Sequence, residues 1–538
     1  MAPLGPRGSS WIVAGGLLVL GAAGTPAVAS GAAGVGDGAS AGSGGRPAVA
    51  LPAPPLPQVA VVVVPRLDVA RLARVGAVGL VSPGAGPTVS REAALASLVR
   101  GESHNSSLGA APGGKALIRL AQEPAHGPGA VTIYVQLPPP GTHPNTRRYP
   151  IAVVGGGYRG ILRSPSTRIP GLASIADVAP TALALAAGKP PRITSALAAD
   201  APARLARSDR RLDESKDAAF GAILAIAAAT LFLAGLAWLV RAPALARASL
   251  LVAPAAIVTT FSLTLAGVGD SPGILTGIAL AAPLGGLAAG RLLAGPRRLG
   301  AGLLATLLFV LVVLAAEPWA AGFSALGPEP GSGGRFFGIG NGMETLLLPA
   351  ALLPGALLGL RWLAPVALLG LGAIGLSRTG ADGGGVIVLL AGFLVLALRL
   401  RGRRITARDA AALGFLVVAL AGAFVGLDAL AGGKSHVTAA VGGGPLTIVT
   451  AVADRLDVSV HRVVAGPSAI IASTWSIIGL LFAATRRRRS PTLDAFLVAV
   501  AVSLLVNDTP VQVLAWAVLM SAPLMSWESV RRARRTAA

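Results

Sequence analysis

The feature that most constrains this chain is a series of apolar stretches between residues 218 and 527, separated by short joints with Arg, Gly or Pro. Because about 20 apolar residues cross a bilayer as an α-helix, the series predicts an α-helical polytopic membrane domain with about eleven spans. The predicted spans are 218–240, 248–267, 273–290, 299–321, 343–360, 362–377, 385–400, 410–430, 464–484, 492–506 and 510–527. The spans at 362–377, 385–400 and 492–506 are short, so the number falls if one of them is re-entrant.

The composition supports a membrane protein and argues against nucleic-acid binding. Hydrophobic residues make up 53% of the 538 residues, and charged residues only 13%. A net charge of +22 would suit a phosphate backbone. However, the arginines cluster at span ends, in 399–404, 485–489 and 531–535, as the positive-inside rule describes. We therefore expect membrane lipids, and no nucleic acid, as partners.

The amino terminus has the order of a secretory signal. Within residues 1–30, Arg7 precedes the apolar run 11–24, and Ala27-Val28-Ala29 follows as a cleavage-site pattern. The segment is either a cleaved signal peptide or a signal anchor that remains as a twelfth helix. Residues 31–57 are rich in Gly, Ala and Pro, which predicts a linker.

Residues 58–200 are expected to form a small extracytoplasmic α/β domain. Short β-like runs at 58–65, 115–121, 130–138 and 149–157 alternate with helical stretches such as 91–101. Residues 201–217 then form a charged tether to the membrane domain, which we assign to 218–527.

An exported α/β domain fixes the orientation of every predicted span. The first span then runs inward, and the basic tail 528–538 is cytoplasmic. Among the loops of the membrane domain, those assigned to the inside hold 19 basic residues and those assigned to the outside 5, which agrees with the positive-inside rule although the rule was not used to set the orientation. The sequence therefore predicts a multi-pass protein of the plasma membrane.

Polar motifs fall in the loops that this orientation assigns to the outside. RFFGIGNGME (335–344), SRTGAD (377–382), GGKSHVT (432–438), ADRLDVSVHR (453–462) and VNDTP (506–510) all lie there. Glu344 and His461 are the candidate acid–base groups of a shared site. The candidate substrate-binding residues are Arg335, Asn341, Arg378, Asp382, His436, Arg462, Asn507 and Asp508.

Each motif also has a purely structural interpretation. RFFGIGN can be a re-entrant turn beside an interfacial aromatic belt. Arg378 and Asp382, four residues apart, can form a local salt bridge. Asn507-Asp508 can be a turn before Pro510. No metal-ligand spacing and no cysteine occur, so we expect neither a metal site nor a cofactor.

The α/β domain resembles part of the alkaline phosphatase superfamily. Residues 161–190 are similar to that superfamily's carboxy-terminal portion, where a helix begins D-x-x-P-T as Asp177 to Thr181 do here. Residues 59–67 look like its first strand, which normally ends in a metal-binding Asp followed by Gly, but Pro65 and Arg66 stand there. The resemblance implies a truncated, non-catalytic phosphatase-like domain.

The whole chain resembles bacterial, actinobacterial-like multi-pass membrane proteins that carry such an exported, degenerate domain. We expect a role in envelope lipid or glycan assembly, with a lipid-linked glycan or other envelope proteins as possible partners. One alternative is a lipid or solute transporter or flippase, although the spans lack ionisable groups at mid-membrane depth. A phosphoethanolamine-type phosphotransferase, by analogy of domain arrangement, and an envelope scaffold are further alternatives.

Overall fold

The computed structural model describes residues 57–106, 115–330, 335–403, 405–430 and 457–537. The predicted signal segment 1–30 and all but the last residue of the linker 31–57 lie outside these residues. The described chain is mostly helical, with a small α/β region at its amino-terminal end.

The α/β region is built on a mixed sheet. Its strands are Val59–Val64 (β1), Gly76–Ser82 (β2), Thr88–Ser90 (β3), Val131–Gln136 (β4), Thr142–Pro144 (β5), Tyr149–Gly155 (β6), Gly160–Arg163 (β7), Leu172–Ser174 (β8) and Thr194–Ala196 (β9). Its helices are Val69–Leu72 (α1), Arg91–Arg100 (α2) and Val178–Ala186 (α3). The sheet order is β1-β4-β6-β2-β7-β9, with β8 also paired to β2, while β3 and β5 form a separate ribbon.

Alternation of side chains along the strands explains the two apolar cores of this region. Ala77 faces a cluster that includes α2 and α3, whereas its neighbour Val78 faces a cluster with the residues around α1. The predicted strands at 58–65, 130–138 and 149–157 are confirmed as β1, β4 and β6. The strand expected at 115–121 is wrong, because this segment is irregular and bonds only at single points, such as Ala121 N to Val61 O at 2.9 Å.

The remaining elements are helices. They are Ala201–Val240 (α4), Pro243–Leu265 (α5), Ser271–Leu292 (α6), Pro296–Ala316 (α7), Asn341–Leu358 (α8), Leu363–Gly375 (α9), Gly383–Leu400 (α10), Ala407–Leu430 (α11), Pro467–Thr485 (α12), Pro491–Val506 (α13) and Pro510–Ala537 (α14). Over the described ranges, nine of them have the length and apolar character to cross a membrane, and α9 and α13 are shorter. Every predicted span thus corresponds to a helix, and two of the three short ones are indeed short.

The predicted tether and the first span are one continuous helix. The beginning of α4 packs on the α/β domain through Ala201 and Leu205. Farther along, the buried guanidinium of Arg148 binds the carboxylates of Asp209 and Asp213. The α/β domain is therefore fixed to a rigid helix rather than joined by a flexible segment.

The helical region has a buried centre and an apolar outer surface. The helix α8 is mostly buried, while α11 and α12 expose most of their length. Large apolar side chains such as Phe415, Trp475 and Phe482 are exposed. Apolar surface of this extent is unusual for a protein in water and natural for one in lipid, so it indicates a membrane protein.

Candidate functional site

The RFFGIGN motif forms a turn that packs against the SRTGAD loop. Ile339 N donates a hydrogen bond of 2.7 Å to Gly380 O. Gly338 has φ +82°, and a Cβ at this position would overlap the Gly380 carbonyl oxygen. Only glycine fits there. Gly340, by contrast, has an extended backbone with φ −85° and precedes α8 as its N-cap.

Glu344 follows the RFFGIGN motif in the chain. It lies in the first helical turn of α8 and is completely buried. Its Oε2 accepts a hydrogen bond of 2.9 Å from Asn507 Nδ2, which also contacts Ser503 Oγ at 2.8 Å. Asn507 is the last-turn cap of α13. Glu344 therefore joins the beginning of α8 to the end of α13.

Asp382 is the second buried carboxyl of the site. It is the N-cap of α10, and its Oδ1 accepts from Gly385 N at 3.1 Å. Arg335 Nη2 lies 3.6 Å from the same oxygen, and Nη1 of that arginine donates to Ile339 O. Asp382 thus pairs with an arginine of the RFFGIGN turn and caps a helix.

The buried carboxyls of Glu344 and Asp382 are close enough to interact electrostatically with each other. Glu344 Oε1 and Asp382 Oδ2 are buried and have no hydrogen-bond partner among the described residues. Two ionised carboxylates only accept hydrogen bonds and repel each other, whereas a proton on one of them would supply a donor and remove one negative charge. The pair is therefore suited to hold a proton.

A second polar group surrounds Asp508, next to Asn507. Asn341 Nδ2 contacts Asp508 Oδ1 at 3.2 Å and Thr509 Oγ1 at 2.8 Å. Arg462 Nη1 donates to Asp508 O at 2.5 Å and lies 3.6 Å from its Oδ2. We call the residues Arg335, Asn341, Glu344, Asp382, Asn507 and Asp508 the polar centre.

The α/β domain covers the rim of the polar centre. The guanidinium of Arg168, whose backbone has φ 56°, lies 3.7 Å from the ring centroid of Phe337. Burial lowers the pKa of Arg168; Asp428 partly opposes this shift and Arg378 adds to it. Arg378 therefore lies near the contact between the α/β domain and the helices. Asp428, at the end of α11, also accepts a hydrogen bond from the Ser377 hydroxyl.

Of the two histidine candidates, His461 does not join Glu344. His461 lies in a helical segment over 457–463, and its exposed ring pairs with Asp457 one turn earlier at 3.4 Å. The neighbours of Glu344 are Asn507 and Asp382 instead. His436 lies outside the described residues.

Sequence reasoning missed several partners in this region. Arg168 and Ser503 carried no sequence signal, and Ser377 was noted only as part of the SRTGAD motif, without its partner Asp428. Asp428 did carry a sequence signal, since a carboxylate near the end of an apolar stretch needs a partner.

The residues Asp177 to Thr181, on which the resemblance to phosphatases rests, have structural partners in the α/β domain. The buried Asp177 carboxylate accepts hydrogen bonds from Ser164 and Ser166, and Thr181 Oγ1 donates to Asp177 O at 2.6 Å. Across the described part of the chain, no cluster of three or more His, Cys, Asp or Glu residues could hold a metal ion. The D-x-x-P-T motif thus shapes the beginning of α3.

Comparisons with protein-family models, with curated proteins and with solved structures give no match for this chain. The function is therefore argued from the polar centre itself.

Proposed function

We propose that this membrane protein acts on an anionic lipid-linked substrate at the extracytoplasmic face during assembly of the cell envelope. The observation that carries the proposal is the Glu344–Asp382 pair, two buried carboxyls with unpartnered oxygens at helix ends. A protonated carboxyl beside an ionised one can donate and accept a proton in turn, as general acid–base catalysis requires.

Two arginines of this region are suited to bind the substrate. Arg335 and Arg462 each keep about a third of the side chain exposed, while their inner nitrogens contact carboxylates. The exposed edge of a planar guanidinium in this position can face a phosphate. Arg168 and Phe337 lie over the same end of the bundle, so we propose that the α/β domain controls access of the substrate.

A proton-coupled flippase or transporter is the second candidate. The observation in its favour is that Glu344 is fully buried within α8, one of the candidate spans, where an ionisable group needs a functional reason. On this view, the carboxyl pair takes up and releases the coupling proton, and the arginines line the exit.

The phosphotransferase alternative rests on the resemblance of the α/β domain and requires two bound metal ions. Its test is the metal content of the purified full-length protein. Two zinc or manganese ions per chain would favour this alternative over both candidates above.

The deciding experiment deletes the gene and measures envelope lipids and glycans in each leaflet, then restores variants. We expect Glu344→Gln and Arg335→Ala to fail to restore the wild-type profile. The control Glu317→Gln makes the same chemical change at an exposed glutamate and should restore it. His461→Ala should also restore it, because the ring is exposed.

The location of the accumulated precursor distinguishes the candidates. Precursor on the outer leaflet supports an enzyme, and precursor retained on the inner leaflet supports a flippase. Full restoration by well-expressed Glu344→Gln and Arg335→Ala would refute the proposed role of the polar centre.

A further inference from the structure

The end of the helical bundle opposite the polar centre contains a separate basic pocket. It has a volume of about 350 Å³ and lies between the ends of α8, α10 and α14 and the loop before α13. Its polar side carries Arg488, Arg489, Arg531 and Arg532. We infer that this pocket binds the phosphate of an anionic phospholipid, whose acyl chain lies along the apolar wall.

Part of the basic charge in this region is already used to hold the fold. Arg489 Nε lies 2.5 Å from Asp494 Oδ1, and Arg399 Nε lies 2.7 Å from Asp494 Oδ2. These contacts join α10 to α13 and neutralise the Asp494 carboxylate twice over. They fix the back of the pocket rather than supply a ligand site.

The remaining arginines leave the pocket positively charged. Arg532 lies 3.8 Å from Glu528, which also accepts a hydrogen bond from the Ser490 hydroxyl. Arg531 stacks over Trp527 at 5.5 Å. The exposed side chain of Arg488 forms no hydrogen bond or ion pair with any described residue. Four arginines and one glutamate line the pocket, so its composition favours an anion.

The opposite wall of the pocket is apolar. Leu353, Leu357, Leu400 and Leu524 line it, contributed by three helices that cross the apolar region. A free phosphate or a nucleotide would gain nothing from this wall, whereas an acyl chain would bury apolar surface on it. The volume is within the range of small-molecule sites, about 300–1,000 Å³, and basic pockets between membrane helices suit lipid headgroups.

The inference is independent of the proposed function, because none of its residues belongs to the polar centre. In the proposed orientation the pocket faces the cytoplasmic leaflet, where Arg486 to Arg489 lie. An anionic lipid in this place would hold α8, α10, α13 and α14 together at the end away from the substrate.

The test uses the full-length protein, delipidated in an uncharged detergent. Binding of dioctanoyl phosphatidylglycerol is measured by native mass spectrometry and by the shift in the unfolding midpoint. Dioctanoyl phosphatidylcholine has the same chains without net charge, and inorganic phosphate has the charge without the chains. We expect the phosphatidylglycerol alone to bind and to raise the midpoint.

The variant Arg488→Gln/Arg531→Gln should weaken phosphatidylglycerol binding by about tenfold or more, as expected for loss of charge-assisted hydrogen bonds. The control Arg297→Gln/Arg298→Gln removes two exposed arginines at the start of α7, outside the pocket, and should leave binding unchanged. If the double variant does not fold, Arg488→Gln alone serves, because that side chain is exposed. Equal effects of phosphate and phosphatidylglycerol, or equal weakening in the control, would overturn the inference.

Discussion

At the level of single residues, the RFFGIGN turn depends on Gly338. Its positive φ and its approach to Gly380 exclude any side chain. We expect Gly338→Ala to lower the free energy of unfolding by about 2 kcal/mol or more, as strained backbone and close contact together would. The measurement is the unfolding midpoint in detergent.

Gly340→Ala is the matched control for this change. Its backbone is extended, and no atom lies within 4 Å of an added Cβ. This variant should therefore lower the free energy of unfolding by about 1 kcal/mol at most, the typical cost of alanine at a helix N-cap. Equal effects of the two substitutions would show that the turn is not held by the Gly338 contact.

Tyr158 is expected to make the stability of the α/β domain fall at alkaline pH. Burial raises the pKa of its phenol to about 12, and the hydroxyl donates a hydrogen bond of 2.6 Å to Ile193 O. Because the folded pKa is the higher one, this stabilisation is complete below the ordinary value near 10 and is lost as pH rises to about 12.

An absorbance titration of tyrosinate in the full-length protein tests this prediction. The chain has three tyrosines, so each ionisation is a large part of the signal. Tyr158→Phe should remove the component that ionises near pH 12. Loss of a component near pH 10 instead would mean that Tyr158 is open to water.

The identities of the polar residues could be predicted from the sequence better than their pairings. Glu344 was a candidate because a charge at the head of an apolar helix needs a partner, and its burial beside Asn507 agrees with that reason. Asp382 was weighed as a local partner of Arg378, yet it pairs with Arg335, 47 positions earlier. Sequence spacing describes neighbours on one helix, whereas this pair is made by packing of two loops.

At the level of elements, the docking of the α/β domain on α4 depends on Arg148. Burial alone lowers the pKa of this arginine, but Asp209 and Asp213 outweigh that effect and raise it above its ordinary value. The stabilisation is therefore complete throughout the neutral pH range and is lost only in strong alkali.

Removing both carboxylates should weaken this docking. Asp209→Asn/Asp213→Asn leaves a guanidinium that is only 3% exposed without its charge partners. We expect a cost of about 2–3 kcal/mol, below the full value for a buried pair because both aspartates are partly exposed. The measurement is the rate of limited proteolysis within 201–217, which should increase in this variant. Asp217→Asn, an exposed residue on the same helix, should cleave at the wild-type rate.

The sequence did not predict that the tether is helical. Its many charges resemble a solvated linker, but Leu205 and Leu212 recur on one face and pack in buried clusters. The helix is thus stabilised by tertiary contacts with the α/β domain, which local composition does not report. The same limit applies to residues 115–121, whose β-like composition does not report that they meet the edge strand β1 only through the hydrogen bond from Ala121 N to Val61 O.

At the level of the whole molecule, the orientation in the membrane remains a prediction. A fluorescent cytoplasmic reporter after Ala538 should be bright, and an export-dependent reporter in the 401–409 loop should be inactive. A reporter placed at 268–270, between α5 and α6, provides the opposite control and should be active only when exported. The reverse pattern would place the polar centre on the cytoplasmic side.

The helix α4 has a mechanical consequence for the whole protein. Its 40 residues extend about 60 Å, about twice the thickness of the hydrocarbon layer. The amino-terminal half of α4 therefore lies outside the bilayer and carries the α/β domain. No break in the helix separates this half from the membrane-spanning half. A tilt of the membrane-spanning half by about 10°, within the ordinary range for membrane helices, would move the amino-terminal end of α4 sideways by about 10 Å. Because the domain also contacts Phe337 through Arg168, such a tilt would be felt as sliding or strain at this contact above the polar centre.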